Sequence, residues 1–278
     1  MKPSIMINFH IHSTGSDGKL TPEKAVKEAI KAGIKYLCFT DHYKRANKDP
    51  WASGFFTKKY IQTIKNLQIK YQDKIDISFG AEIDWFEKSE KWITEEIAKH
   101  NFDYVLGSVH LLKSKKGDYF GVNFDEDRFQ KEITEFGGIK NLLNEYFRKL
   151  KLMINSGIFD SVAHLDVIKT LNGKSKYFSQ KSKQYKNQIF EVLEAIKKNK
   201  MCIEINTSGW GYSCKEQFPS LWILKKARKM NIPLTIGTDC HFSDRISYNL
   251  DKAYKVAKQA GYREIVRFKA RKMIKIPI

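Results

Sequence analysis

Seven short apolar or β-branched runs recur along this chain, each succeeded by a polar stretch of helix-like spacing, and this alternation constrains the fold more than any other feature. The runs are Ile5 to Phe9, Lys35 to Phe39, Ile75 to Phe79, Tyr104 to Val109, Phe159 to Ala163, Met201 to Ile205 and Pro233 to Ile236. Between them the spacing predicts helices over Thr57 to Tyr71, Ser89 to Lys99, Ile139 to Ile154, Gln180 to Lys198, Pro219 to Met230 and Tyr248 to Gln259. The first helix is the best signalled. Thr21 can cap it, Pro22 suits its first position, Ala25, Val26, Ala29 and Ile30 form its apolar stripe, and Gly33 can close it. Strands alternating with helices pair in parallel through right-handed crossovers, so the chain folds either as an open doubly wound sheet or as a closed barrel.

The residues at the ends of the runs decide between these. The runs end, in order, at His10-Ile-His12, Asp41-His42, Glu82, His110, His164, Asn206 and Asp239-Cys-His241, a polar group at every strand end. An open sheet gathers ligands at one crevice, whereas a barrel brings all strand ends around one mouth. The predicted fold is therefore an α/β barrel with its site at the carboxyl ends of the strands. No Pro/Gly/Ser-rich linker interrupts the series, so residues 1–278 are read as one domain.

Composition narrows the function classes. An apolar content of 42% is globular, and no stretch approaches the roughly 20 apolar residues that cross a bilayer. The amino end lacks the apolar segment of a signal peptide, so neither membrane spanning nor secretion is expected. Four cysteines without a Cys-x-x-Cys pair suggest neither a thiolate zinc cluster nor a disulfide framework, and fit a reducing cytoplasm. The net charge of +19 comes from lysines scattered through almost every segment, the pattern of a solvated surface with at most a modest part in steering anions.

The histidines carry the chemical signal. Six of seven (His10, His12, His42, His110, His164, His241) stand at strand ends, accompanied by Asp17, Glu82 and Asp239, while His100 merely succeeds a helix. Burying so many titratable groups together costs several kcal/mol in desolvation and like-charge repulsion, which divalent metals repay by direct coordination. Alternate residues of a strand point the same way, so His10 and His12 can serve one ion, and Asp239 and His241 repeat that spacing. Glu82 is the best placed to bridge two ions. Nine nitrogen and oxygen donors suit two to three ions, and a set without thiolate is compatible with zinc, manganese or iron. Cys240 should point away from the site as a small buried apolar residue.

His10-x-His12, Thr40-Asp41-His42, Gly80-Ala-Glu82, Gly107-Ser-Val-His110, Ala163-His164-Leu-Asp166, Glu204-Ile-Asn206-Thr207 and Gly237-Thr-Asp239-Cys-His241 resemble, in order, the metal motifs of the polymerase and histidinol phosphatase (PHP) superfamily. Within it, Phe102 to His110, Asn206-Thr-Ser-Gly209 and the segment Gly261 to Ile278 look most like the stand-alone histidinol-phosphate phosphatase branch. The resemblance implies a distorted (β/α)7 barrel with a trinuclear centre that hydrolyses histidinol phosphate in histidine biosynthesis. It implies a first metal on His10, His12, Glu82 and Asp239, a second on Glu82, His110 and His164, and a third on Asp17, His42 and His241. Asp17 can also be read as a turn residue before Gly18. Either Asp17 or His241 could protonate the leaving group.

In many members of that branch a basic residue after the Asn-Thr-x-Gly segment helps to hold phosphate, but here Trp210-Gly211-Tyr212 stands there. Lys169 is the substitute anion contact suggested by position, with Asn206 and Trp210 as further substrate contacts. Tyr43 and Trp85 are candidates for stacking, and Asp84 and Asp166 for cationic groups of the substrate. Two other readings compete with this one. A phosphoesterase acting on nucleotides or the 3′ ends of DNA would use the positive charge, although no helix-hairpin-helix and no basic-aromatic stripe supports nucleic acid as a partner. A non-catalytic metal-binding module would require broken motifs, and none of the principal ones is broken. The sequence is silent on oligomeric state.

Overall fold

The computed structural model describes residues 5–43, 56–114, 116–117, 119–122 and 125–278. Its chain runs β1 (Met6–Ile11), α1 (Pro22–Ala32), β2 (Ile34–Phe39), α2 (Lys58–Lys70), β3 (Asp76–Asp84), α3 (Glu90–Ala98) and β4 (Tyr104–Ser108). Next come the short strands β5 (Leu111–Lys113) and β6 (Tyr119–Gly121), the helices α4 (Glu126–Glu135) and α5 (Ile139–Asn155), and β7 (Ser161–Val162). The last part contains α6 (Lys183–Lys198), β8 (Cys202–Asn206), α7 (Leu221–Lys229), β9 (Leu234–Gly237), α8 (Leu250–Gln259), β10 (Glu264–Lys269) and β11 (Lys272–Pro277).

Seven strands form one parallel sheet in the order β1-β2-β3-β4-β7-β8-β9, each neighbour being the next of the seven in sequence. Each falls on one of the seven apolar runs, with β3 extending beyond its run to Asp84 and β7 reduced to Ser161–Val162. The sheet curls until its first and last strands meet. The Asp239 amide donates to the His10 carbonyl (2.8 Å), the His12 amide donates to the Cys240 carbonyl (2.9 Å), and Asn8 Nδ2 donates to Thr238 Oγ1 (2.7 Å) across the seam. The result is the expected distorted (β/α)7 barrel. α1 forms as predicted: Thr21 Oγ1 accepts from the Lys24 amide, Pro22 opens the helix, Ala25, Val26 and Ala29 are buried, and Gly33 closes it at φ 83°.

The hairpin β10-β11 closes the amino-terminal end of the barrel, opposite the site. Phe268 stacks on Tyr104 with ring centroids 4.6 Å apart, and Arg267 pairs with Asp76 at 3.1 Å. Arg271 in the hairpin turn donates to both carboxylate oxygens of Asp160, at 3.0–3.1 Å from Nε and 3.0 Å from Nη2. Those aspartates lie at or just before the starts of β3 and β7, so the hairpin ties separate strands to one another. Arg271→Ala should cost about 2 kcal/mol, the scale of partly screened hydrogen bonds to a charged group. Its melting temperature should fall by roughly 5 °C for a chain of this size. Thermal unfolding monitored by circular dichroism checks this, and an unchanged melting point would refute the clamp.

Candidate metal centre

All nine expected donors converge at the carboxyl ends of the strands, where Asp17, His42, Glu82, His110, Asp239 and His241 line a cavity of about 330 Å³ and His10, His12 and His164 are buried beside them. His10 and His12 leave β1 with their Nε2 atoms 3.1 Å apart, as alternate positions of a strand require. Glu82, inside β3, is the hub. Its Oε2 lies 3.2 Å from His10 Nε2, 3.3 Å from His12 Nε2 and 3.3 Å from His42 Nδ1, while its Oε1 lies 3.1 Å from His164 Nε2 and 3.6 Å from His110 Nε2. Asp239 Oδ1 lies 3.3 Å from His12 Nε2, and Asp17 Oδ2 lies 3.2 Å from His241 Nε2. Among the described residues, three groupings hold their donor atoms within 4.8 Å of one another: His10, His12 and Asp239; His42, Glu82 and His110; and His12, Asp17, His42 and His241. The last grouping adds His12 to the trio expected for a third ion, and His42 stands between two groupings instead of in one.

Backbone geometry supports the cluster. Gly237 at the end of β9 must lack a side chain, because a Cβ there would come within 2.2 Å of Glu204 Oε1 and 2.3 Å of His10 Cβ. Asp239 takes φ 54° and His164 φ 26°, left-handed values that cost energy and gather at sites where the surroundings enforce them. The Asp239 amide is fixed by the His10 carbonyl, and the His164 amide donates to Glu204 Oε2 at 2.9 Å.

Glu204 is the residue that sequence reasoning underused. It stands in the Glu204-Ile-Asn206-Thr207 motif, yet spacing alone did not mark it as part of the site. Its Oε1 accepts from His10 Nδ1 at 2.8 Å, which fixes the ring so that Nε2 faces the centre, the usual task of a carboxylate behind a ligating histidine. Asp41 does similar work for the neighbouring loop. It accepts from the Ser13 amide (2.6 Å), Ser13 Oγ (2.8 Å), Ser16 Oγ (2.8 Å) and the Tyr60 hydroxyl, tying the turn that carries Asp17 to β2 and α2. Cys240 is buried, its Sγ lies 2.9 Å from the Phe242 carbonyl oxygen, and burial pushes its thiol up to about 12, so it is a protonated, apolar-like residue as expected.

The electrostatics arise from packing acids and imidazoles together in a largely buried cluster. Burial works to raise the Glu82 pKa, but His10, His42 and His110 outweigh it and hold the carboxyl well below its usual range. Asp239 is likewise depressed against its burial by His10, His12 and His241. Burial works to lower His12, yet hydrogen bonds to Asp239 and Glu82 raise it to about 10. His42 goes the other way. Burial, reinforced by neighbouring His12, lowers it to about 3, so its ring is neutral. Ionised carboxylates facing imidazole nitrogens are the donor set of a divalent-cation site. Pairs of ring nitrogens only 3.1 Å (His10, His12) and 3.0 Å (His110, His164) apart, each pair also facing a Glu82 oxygen, are what a shared cation draws together. The residues fit divalent metal.

The substrate residues anticipated from sequence do not reach the cavity, and each has a physical reason. Lys169 is fully buried, with its ammonium spent on Asp166 (2.9 Å), Glu216 (3.0 Å), the Gln217 carbonyl (2.9 Å) and Ser220 Oγ (2.6 Å). It is an interior ion-pair residue, and Asp166 is its partner. Asn206 is buried and engaged on both ends, donating to Glu204 (3.2 Å) and Asp239 (3.3 Å) and accepting from Ser208 Oγ (2.7 Å). It positions acids and offers nothing outward. Trp210 packs in the core beneath Lys252, whose ammonium lies 4.3 Å from its ring centroid. Tyr43 is buried with its hydroxyl donating to Glu96 at 2.8 Å, Trp85 is buried, and Asp84 accepts from the His110 amide at 2.9 Å. The walls are built instead by Ser208, Gly211, Tyr212, Phe242, Arg245 and Tyr248.

With this geometry in view, comparison places the chain among known proteins. The family model of the PHP domain matches residues 8–208. The chain belongs to the PHP domain family. It is 31% identical to a histidinol-phosphatase of Lactococcus lactis subsp. lactis, over 97% of this chain and 96% of that protein. It is 25% identical to a histidinol-phosphatase of Bacillus subtilis, over 86% of this chain and 94% of that protein. The solved structure of the Lactococcus lactis histidinol phosphate phosphatase, complexed with zinc, L-histidinol and phosphate, superimposes with a TM-score of 0.76 at 25% identity, covering 97% of this chain and 98% of its own. A structure from Listeria monocytogenes gives a TM-score of 0.82 at 18% identity over 88% of this chain and 99% of its own, a shared fold. Among the described residues, no helix is long and apolar enough to cross a membrane.

Proposed function

We propose that this chain is a metal-dependent phosphomonoesterase that hydrolyses L-histidinol phosphate to L-histidinol and inorganic phosphate, in histidine biosynthesis. One observation carries the reading: nine nitrogen and oxygen donors cluster around Glu82, six of them lining one cavity, in a chain 31% identical over nearly its full length to a histidinol-phosphatase. Two to three divalent ions are held, with zinc, manganese or iron all suited to the donors and zinc the ion of the related structure. His10, His12, Glu82 and Asp239 hold the first ion, Glu82, His110 and His164 the second, and Asp17, His42 and His241 the third. Residues 1–278 act as one domain, a reading supported by the meeting of β1 with β9 and by the hairpin packed beneath the barrel.

Bound there, divalent ions would neutralise the phosphoryl oxygens and lower the pKa of a water for in-line attack. The chain's own residues do the rest. Glu204 and Asn206 keep His10 and Asp239 aimed at the floor. His241 donates from Nδ1 to the Asp239 carbonyl oxygen at 3.0 Å, which leaves Nε2 facing Asp17 and the cavity. Asp17 is held ionised, its burial overcome by the hydrogen bond to His241 and by His12 and His42, and its Oδ2 lies 3.2 Å from that Nε2, so these two groups are the pair placed to pass a proton to the leaving alkoxide. The same atoms serve either a third ion or this proton, not both at once.

The test is a direct comparison of histidinol phosphate, nucleotides and short DNA with one metal-loaded preparation. Histidinol phosphate should give the highest kcat/KM, with little dependence on salt. DNA binding whose affinity falls on a log-log plot with a slope near the number of contacted phosphates would support the nuclease reading instead. Turnover that survives complete removal of metal would overturn both.

A further inference from the structure

Above the donor cluster the cavity holds one built cation. Among the described residues lining it, Arg245 is the sole lysine or arginine. Arg245 ends the turn Ser243–Arg245, four residues beyond His241, and its guanidinium lies against Gly211 of the segment Ser208–Gly211. Two contacts flank the guanidinium. Its Cζ lies 4.0 Å from the Tyr248 ring centroid, a cation–π contact. On the other side lies Gly211, where an added Cβ would come within 3.0 Å of Nη1. A side chain at Gly211 would crowd the guanidinium and press it to shift. Nε faces the exposed Asp244 carboxylate at 3.7 Å, and among the described residues no acceptor pairs with Nη1 or Nη2.

A phosphomonoester lying on the donor cluster directs some of its oxygens to the floor and at least one back toward the walls. Everything else on those walls is neutral: Ser208, Tyr212, Phe242 and Tyr248. A guanidinium with an open Nη edge matches a phosphoryl oxygen in charge and geometry, better than a flexible ammonium would. Trp210-Gly211-Tyr212 supplies no cation from its own segment, and Arg245 reaches the same wall from the end of a different strand.

We propose that Arg245 is the phosphate-binding residue of this site, holding through its Nη edge a phosphoryl oxygen turned away from the donor cluster. The proposal rests on the phosphomonoesterase reading, and its test uses inorganic phosphate as the probe so that the two can fail separately. Arg245→Ala should weaken phosphate binding to the metal-loaded protein, measured by calorimetry, by about 10–100-fold, the worth of a hydrogen bond to a charged group. Metal content should stay unchanged, the KM for histidinol phosphate should rise more than kcat falls, and Arg245→Lys should recover part of the affinity. Gly211→Ala, which keeps the charge but crowds Nη1, should weaken phosphate in the same direction. Unchanged phosphate affinity in Arg245→Ala, or a loss of metal alongside it, would overturn the proposal. Phosphate binding that depends on Arg245 in a protein that does not hydrolyse histidinol phosphate would keep this residue's role and discard the substrate.

Discussion

Glu82→Gln should release more than one metal ion per chain and lower kcat/KM for histidinol phosphate well beyond the roughly 10–100-fold typical of losing an outer partner of a ligand. The reason is position. One Glu82 oxygen faces His10, His12 and His42 and the other faces His110 and His164, so the carboxylate serves both sides of the cluster. Glutamine keeps the shape but removes the charge and one acceptor, leaving facing imidazoles with nothing to offset a second cation. Glu204→Gln is the graded comparison. It keeps every direct donor and loosens only the hold on His10 Nδ1, so its loss should stay within about 10–100-fold. Elemental analysis of the purified variants decides the matter. Release of a single ion from Glu82→Gln would contradict the bridge.

Complete removal of metal by a chelator should lower the melting temperature by roughly 10 °C, with recovery when zinc or manganese is returned. A ligand at a thousand times its dissociation constant stabilises the folded state by about 4 kcal/mol, and a chain somewhat larger than 200 residues gains some 2–4 °C per kcal/mol. The buried carboxylates and imidazoles of the barrel floor balance one another only partly without a cation, as the opposed behaviour of His12 and His42 shows. A melting point that does not move when metal content falls to zero would mean that the cluster is preorganised by its own hydrogen bonds.

The barrel is legible in the sequence because parallel strands covered on both faces become nearly continuous apolar runs, and each of these ends in a polar donor. The site emerged from the same pattern, since strand ends and barrel mouth are one place. What escaped notice did so for local reasons. α4 buries only Phe129 and Glu132, too little for an apolar stripe to stand out. β3 continues through Gly80 and Ala81 to Asp84, although small residues there look like a break. β10 and β11 alternate charge with short apolar stretches and gain their meaning only by packing under the barrel. Lys169 carried a warning in its spacing. Asp166 precedes it by three residues, so one short helical turn joins them as an ion pair. Arg245 carried no signal, because Phe242-Ser-Asp-Arg245 reads as any polar loop until Gly211 is seen against it.

The seam of the barrel makes the site depend on both ends of the chain. His10 and His12 leave the first strand, Asp239 and His241 come after the last, and the contacts that join them, Asn8 to Thr238 and Ile7 to the Tyr254 hydroxyl, span 230 and 247 residues. Contacts so distant along the chain carry the largest loop-closure cost of any in the fold. The full donor set exists only where the seam is closed, and an open chain offers ions little beyond the local pairs His10-x-His12 and Asp239-x-His241. Selection among ions by the full donor set is thus a property of the closed barrel and not of any one segment of the chain.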